Sequence, residues 1–162
     1  MPAMSTLPVP KNIKDLFEDL LGRPVTVGAT DPAVTADLNK AVVALYVDNS
    51  RKLTAVAGMD LKLASYAGAA IGLIPAGGAE ASIEDGELTP MLADNVREVC
   101  NIITGMLNQL DLPHLKLYES YMPGETAPAD AIARLLALGA RLDLVVEIGG
   151  YGKGKFWLSL AG

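Results

Sequence analysis

Four stretches of the chain carry apolar residues at the three- and four-residue spacing that places them on one face of an α-helix. They predict helices over residues 11–21, 61–73, 88–110 and 129–138. Residues that favour helix ends support these limits. Asp60 and Thr89 are good N-caps, and Gly22 and Gly139 tolerate the left-handed conformation in which many helices end.

Shorter apolar or alternating stretches predict β-strands over residues 25–29, 41–47, 53–57, 115–121, 142–148 and 156–160. The second and third flank a turn and predict a hairpin, and the glycine-rich residues 149–154 predict a flexible hairpin turn between the last two. Glycines at 77, 78 and 86 predict a loop before the longest helix. The order predicts one α+β domain over residues 11–162, with helices packed on a mostly antiparallel sheet, after a flexible leader at residues 1–10.

Two glycines stand inside the second predicted helix. Gly68 and Gly72 lie four residues apart, and each glycine costs a helix interior about 1 kcal/mol relative to alanine. We expect them to allow another element of the fold to approach the helix closely.

Composition narrows the classes of function. The chain has 162 residues, of which 51% are hydrophobic and 20% charged, so a sizeable core is available. A net charge of −6 argues against binding to nucleic acid or to an anionic membrane. The single cysteine excludes a disulfide framework, and neither a secretory signal nor a membrane span is predicted, so we expect a cytoplasmic protein.

Nucleophilic and metal chemistry find little support in the sequence. The chain has one histidine, His114, and one cysteine, Cys100, and it lacks a G-x-S-x-G motif. Zinc would need more such ligands, so no metal site is predicted. His114 is interpreted as a residue that leads into a strand and Cys100 as a core thiol. Residues 149–154 lack the G-K-[ST] ending of a phosphate-binding loop.

The longest predicted helix carries a narrow polar stripe opposite its apolar face. The stripe consists of Asp94, Glu98, Asn101, Gly105 and Asn108. One interpretation is the solvated side of an amphipathic helix. Two details favour a binding or catalytic surface: asparagine is a poor helix former in mid-helix, and glycine leaves the helix surface bare for a partner.

A carboxylate beside an amide suits one kind of reaction. The carboxylate can pair with a cation on a partner, and the amide can both donate to and accept from a water molecule. Orienting an attacking water is the task of a glutamine in GTPases, where metal and lysine already hold the phosphate. Glu98 and Asn101 could act in this way on a phosphate that a partner brings.

The spacing D-x-x-x-E-x-x-N-x-x-x-G, present here as DNVREVCNIITG from Asp94 to Gly105, resembles the signature of the CheC/CheX/FliY phosphatases. These proteins act on the phosphorylated chemotaxis response regulator CheY. The order of elements from residue 13 to 160 resembles the family as well. CheC-like and FliY-like members generally carry two such motifs, whereas this chain carries one, so the resemblance favours the CheX-like branch.

The resemblance implies a protein aspartyl-phosphate phosphatase with a CheC/CheX-like fold. Glu98 would pair with the invariant lysine of the receiver domain, and Asn101 would orient the water that attacks the aspartyl phosphate. Asp94 would have a lesser role, and Gly105 and Asn108 would complete the partner-binding surface. Mg²⁺ would belong to the receiver, so the chain needs no cofactor of its own. A homodimer built through the sheets is also implied.

Two other functions stay open. The first is a non-catalytic scaffold of the same fold, whose stripe binds a receiver without changing the lifetime of its phosphate. The second is an unrelated dimeric α+β binding protein, in which Glu98 and Asn101 would be buried. The helix at residues 129–138 and the glycine-rich final hairpin are departures from the family pattern.

Overall fold

The computed structural model describes residues 7–160, which form helices packed on a six-stranded sheet. The strands are β1 (Val25–Ala29), β2 (Val42–Val47), β3 (Leu53–Met59), β4 (Lys116–Tyr121), β5 (Arg141–Ile148) and β6 (Gly152–Leu160). The helices are α1 (Pro10–Leu21), α2 (Thr35–Leu38), α3 (Leu61–Ile71), α4 (Ala76–Asp85), α5 (Pro90–Leu107) and α6 (Ala129–Leu136).

The sheet has the strand order β1-β5-β6-β3-β2-β4, and every neighbouring pair is antiparallel. This confirms the predicted α+β class. Of the predicted leader, residues 1–6 lie outside the described residues, and α1 begins at Pro10. None of the helices within residues 7–160 is long and apolar enough to cross a membrane.

The larger core lies between one face of the sheet and helices α1, α3 and α5. Phe17 of α1 meets Phe156 of β6 edge to face, with ring centroids 6.2 Å apart, and both are fully buried. Edge-to-face contact suits the aromatic quadrupole and adds to the gain from burial. Strand β2, which lies between β3 and the edge strand β4, is buried on both faces, which explains its continuous apolar sequence.

The opposite face of the sheet is covered at its centre by α6. Leu135 of α6 packs near Trp157 and over Gly58, where an added Cβ would lie 3.2 Å from a Leu135 methyl carbon. Arg141 of β5 binds the C-terminal end of α6. Its guanidinium donates to the carbonyls of Leu135 and Ala137 and forms a buried, two-point ion pair with Asp143. The departure seen at residues 129–138 is therefore a packed layer, and a sheet-to-sheet homodimer stays a prediction.

Two helices were not predicted, and both depend on tertiary contacts. The predicted loop at Gly77 and Gly78 is wrong, because these residues lie in α4, which packs against α3 through the buried Ala79 and Ser82. A Cβ on Gly78 would lie 2.8 Å from a methyl carbon of Ile74, so an alanine there would force the Ile74 side chain to shift. The other unpredicted helix is α2, a single turn.

The final hairpin differs from the predicted flexible turn. The turn itself spans only residues 149–151, and Gly152 and Gly154 belong to β6. An added Cβ on Gly152 would clash with the ring of Tyr66, and one on Gly154 would clash with the backbone of Leu63. These glycines let the N-terminus of α3 rest directly on the sheet, where Asp60 accepts a hydrogen bond from Leu63 N at 2.8 Å.

We expect Gly154→Ala to lower the free energy of unfolding by about 1–3 kcal/mol, because the added methyl group overpacks the contact between α3 and β6. Gly77→Ala is the matched control, since an added Cβ there would have nothing within 4 Å. It should leave stability unchanged or raise it by about 0.5 kcal/mol. Urea denaturation measures both, and equal midpoints for the two variants would contradict the packing argument.

Candidate functional site

The polar stripe lies on α5, whose start the sequence predicts well. Thr89 Oγ1 accepts a hydrogen bond from Leu92 N at 3.2 Å, and Pro90 occupies the first turn. The inward face of the helix consists of buried residues: Leu92, Val96, Val99, Cys100, Ile103, Met106 and Leu107. This face fixes which side of α5 points to solvent.

All five residues of the stripe are exposed, from Asp94 to Asn108. The side chains of Glu98 and Asn101 form no hydrogen bond or ion pair with any group within residues 7–160. They lie three residues apart on one helix and are therefore neighbours on its surface. The burial expected of an unrelated binding protein is not observed. Among residues 7–160, the Glu98 carboxylate and the neighbouring Asn101 amide are thus both without a partner.

Helix α3 fixes one side of α5 through the two glycines singled out in the sequence. A Cβ on Gly68 would lie 3.1 Å from the Leu92 carbonyl oxygen, and one on Gly72 would lie 2.5 Å from Asn95 Nδ2. Asn95 Nδ2 donates to the Gly68 carbonyl at 2.9 Å. The predicted close approach is confirmed, with α5 as the partner. The sequence does not predict the role of Asn95, because its hydrogen bond to Gly68 becomes apparent only when the two helices are in contact.

Arg97 fixes the other side of α5 to the edge strand β4. Its guanidinium donates to the Ser120 carbonyl at 2.8 Å and to Ser120 Oγ at 3.2 Å, and lies 3.5 Å from a carboxylate oxygen of Glu125. The sequence gives no signal for this contact, since Arg97 is one charged residue among several on the helix. Together with α3, the arginine limits rotation of α5 about its own axis.

Asn108 differs from the rest of the stripe. Its Nδ2 donates to the Leu115 carbonyl at 2.9 Å, and its Oδ1 accepts from Leu115 N at 2.8 Å. The side chain thus joins the end of α5 to the start of β4. The structure gives this residue an intramolecular role, and its predicted part in partner binding stays a prediction.

A groove of about 430 Å³ runs beside the C-terminal half of the stripe, between α1 and α5. Its polar wall includes Asn12, Asp15 and Asp19 of α1, and its floor reaches Gly105, where an added Cβ would have nothing within 4 Å. Asp15 is paired with Lys11 at 2.6 Å. The helix surface at Gly105 is therefore open, and two carboxylates of α1 line the groove beside it.

The described residues contain no cluster of three or more His, Cys, Asp or Glu side chains that could hold a metal ion. Cys100 lies on the inward side of α5, where burial raises the pKa of its thiol to about 12. Its carbonyl accepts a 2.7 Å hydrogen bond from the Tyr46 hydroxyl. These facts agree with the interpretation of Cys100 as a core thiol.

No protein-family model and no curated protein sequence matches the chain significantly. Solved structures match it over nearly its whole length. The FliM middle domain from H. pylori aligns with a TM-score of 0.63 at 7% identity, over 93% of this chain and 83% of that one.

Two further matches are to structures that contain CheX and FliY. A chain of the CheX–CheY–BeF3–Mg²⁺ complex from Borrelia burgdorferi aligns with a TM-score of 0.54 at 13% identity, over 94% of each chain. FliY from Thermotoga maritima aligns with a TM-score of 0.53 at 14% identity, over 96% of this chain and 92% of that one. The chain has the CheC/CheX/FliY fold. At these identities the likeness shows the fold alone, so the roles of the residues on α5 depend on their own geometry.

In the folded protein, Cys100 should stay unreactive toward a thiol reagent at about pH 8, because its thiol is buried and remains protonated at that pH. In a denaturing concentration of urea the thiol should react completely, which serves as the control. The absorbance of released thionitrobenzoate measures both rates. Rapid and complete reaction of the folded protein would show that the inward face of α5 is open.

Proposed function

We propose that this chain is a CheX-like phosphatase that removes the phosphoryl group from the aspartate of a CheY-like receiver domain. The observation that carries the proposal is the free Glu98 and Asn101 pair, exposed on a helix that is fixed on both sides. The fold supports it, since CheX occurs with CheY in a solved complex. The single D-x-x-x-E-x-x-N-x-x-x-G motif supports the CheX-like branch, and a cytoplasmic location belongs to the same proposal.

Asn101 supplies the chemistry. Its amide enters the receiver's phosphorylation site and holds a water molecule in line with the bond to be broken, with the oxygen facing phosphorus. A bond forms between the water oxygen and phosphorus, and the bond between phosphorus and the aspartyl oxygen breaks. The products are inorganic phosphate and the free aspartate. The receiver holds the Mg²⁺ that neutralises charge on the phosphoryl oxygens.

Glu98 orients the receiver domain by forming an ion pair with its lysine. Its carboxylate has no partner within residues 7–160, so pairing with the receiver's lysine breaks no contact inside this chain. Asp94 lies one turn earlier and adds negative charge for the same cation. Gly105 lies one turn after Asn101 and leaves room for the receiver's backbone.

A second candidate function is a receiver-binding scaffold without turnover. The match to FliM structures allows it, because FliM occurs in solved complexes with FliG and with SpeE. The two functions share the surface on α5 and differ in whether the phosphate is lost. Decay of a phosphorylated receiver with and without this protein distinguishes them, since a scaffold would bind without shortening the lifetime.

Asn101→Ala should slow dephosphorylation about 100-fold, because the attacking water loses its preorganised polar group. Binding of a beryllofluoride-loaded receiver should change little. Asn49→Ala is the matched control, since Asn49 is exposed on the turn between β2 and β3. Phosphate release measures the rate. Wild-type rates from Asn101→Ala would refute the proposed mechanism.

Glu98→Gln should weaken receiver binding about tenfold, because the pair with the receiver's lysine is lost. The affinity of the wild type should fall as salt is added, and that of Glu98→Gln should fall less steeply. Titration calorimetry at two ionic strengths measures both effects. An unchanged affinity and salt slope would exclude Glu98 as the partner of the lysine.

A further inference from the structure

Helix α3 ends in a Schellman motif that contains an unusual residue. Ile74 N donates to the Ala69 carbonyl at 2.8 Å, and Leu73 N donates to the Ala70 carbonyl at 3.2 Å. The motif places Leu73 in the left-handed conformation, with φ at 56°. Glycine is the usual residue there, because a Cβ crowds the following carbonyl in this conformation.

The segment does contain a glycine, but it lies one position before the left-handed residue and makes a different contact. Gly72 lies directly before Leu73, and its missing Cβ leaves space for the Asn95 side chain. Ile74 packs against the larger core, whereas Leu73 is 81% exposed. Leu73 therefore holds a strained backbone conformation, and its side chain has little contact with the chain to compensate. Strain that the fold itself does not need is a reason to look for function.

Leu73 lies beside the N-terminal half of the polar stripe. The contact between Gly72 and Asn95 brings the end of α3 against α5, and Asn95 and Glu98 are neighbours three residues apart on that helix. Met91, which is 62% exposed, lies three residues before Asp94. Helical geometry therefore places Met91 next to Asp94, and the contact at Gly72 brings the Leu73 backbone close to the same end of α5.

We propose that Leu73 and Met91 form the apolar contact through which the receiver domain docks, with its lysine against Glu98. This inference rests on the proposed function. Apolar side chains around an ion pair exclude water, which strengthens the pair and holds the receiver in register for Asn101. A receiver that needs this side chain accounts for a leucine at a position that favours glycine.

The charges on the surface favour a receiver over a second copy of this chain. A two-fold symmetric contact through Leu73 and Met91 would place the same patch of each copy against the other. Asp94 and Glu98 of one copy would then face Asp94 and Glu98 of the next, and like charges at an interface oppose association. A receiver with a lysine in its contact surface avoids this repulsion.

Leu73→Gly tests the inference, because binding should weaken without any loss of stability. The variant relieves the left-handed strain, so its thermal midpoint should equal or exceed that of the wild type. Its affinity for a beryllofluoride-loaded CheY-like receiver with Mg²⁺ should fall about tenfold, as expected when the burial of one leucine side chain is lost. Leu138→Gly is the matched control, since Leu138 is 84% exposed after α6, and its affinity should equal that of the wild type.

The outcomes separate this inference from the proposed function. If the wild type dephosphorylates the receiver and Leu73→Gly binds it equally well, the docking contact is wrong and the phosphatase stands. If the wild type neither binds the receiver nor shortens its phosphate lifetime, the proposed function fails and the docking contact fails with it. A lowered thermal midpoint of Leu73→Gly, or a loss of self-association in sedimentation, would assign the leucine to folding or to a second copy and overturn the inference.

Discussion

The close contact between α3 and α5 is the constraint on which the presentation of the site depends. Gly68 and Gly72 bring the backbone of α3 within van der Waals distance of α5, and Asn95 bridges the two helices by a hydrogen bond to Gly68. A side chain at Gly68 would press on the Leu92 carbonyl and Val96 of α5, and one at Gly72 would displace the Asn95 side chain. In the proposed function Glu98 and Asn101 act by their direction, so a small rotation of α5 would affect them more than it affects the core.

The sequence allowed most of the framework to be predicted, because the relevant signals are local. Apolar periodicity identified α1, α3, α5 and α6, and the turn residues identified the hairpin of β2 and β3. The candidate site was predictable for the same reason. Asp94, Glu98, Asn101 and Gly105 are spaced along one helix, so helical geometry alone places them on one face.

The features that were not predicted depend on contacts between distant parts of the chain. Helix α4 forms against α3 in spite of its two glycines, and Gly154 is required by the approach of α3 to the sheet. The anchoring of α5 by Arg97 and the strained conformation of Leu73 likewise appear only in three dimensions. In each case tertiary packing overrides or adds to local propensity, which no window of sequence records.

The separation between the polar stripe and the core has a consequence for how such proteins diversify. Glu98 and Asn101 contact no other side chain through hydrogen bonds or ion pairs in the described part of the chain, so the scaffold does not need them to fold. Under the proposed function, substitutions at these two positions would remove turnover and leave the hydrogen bonds and ion pairs of residues 7–160 in place. A protein with this fold and the proposed activity would thus be able to lose turnover and keep its architecture.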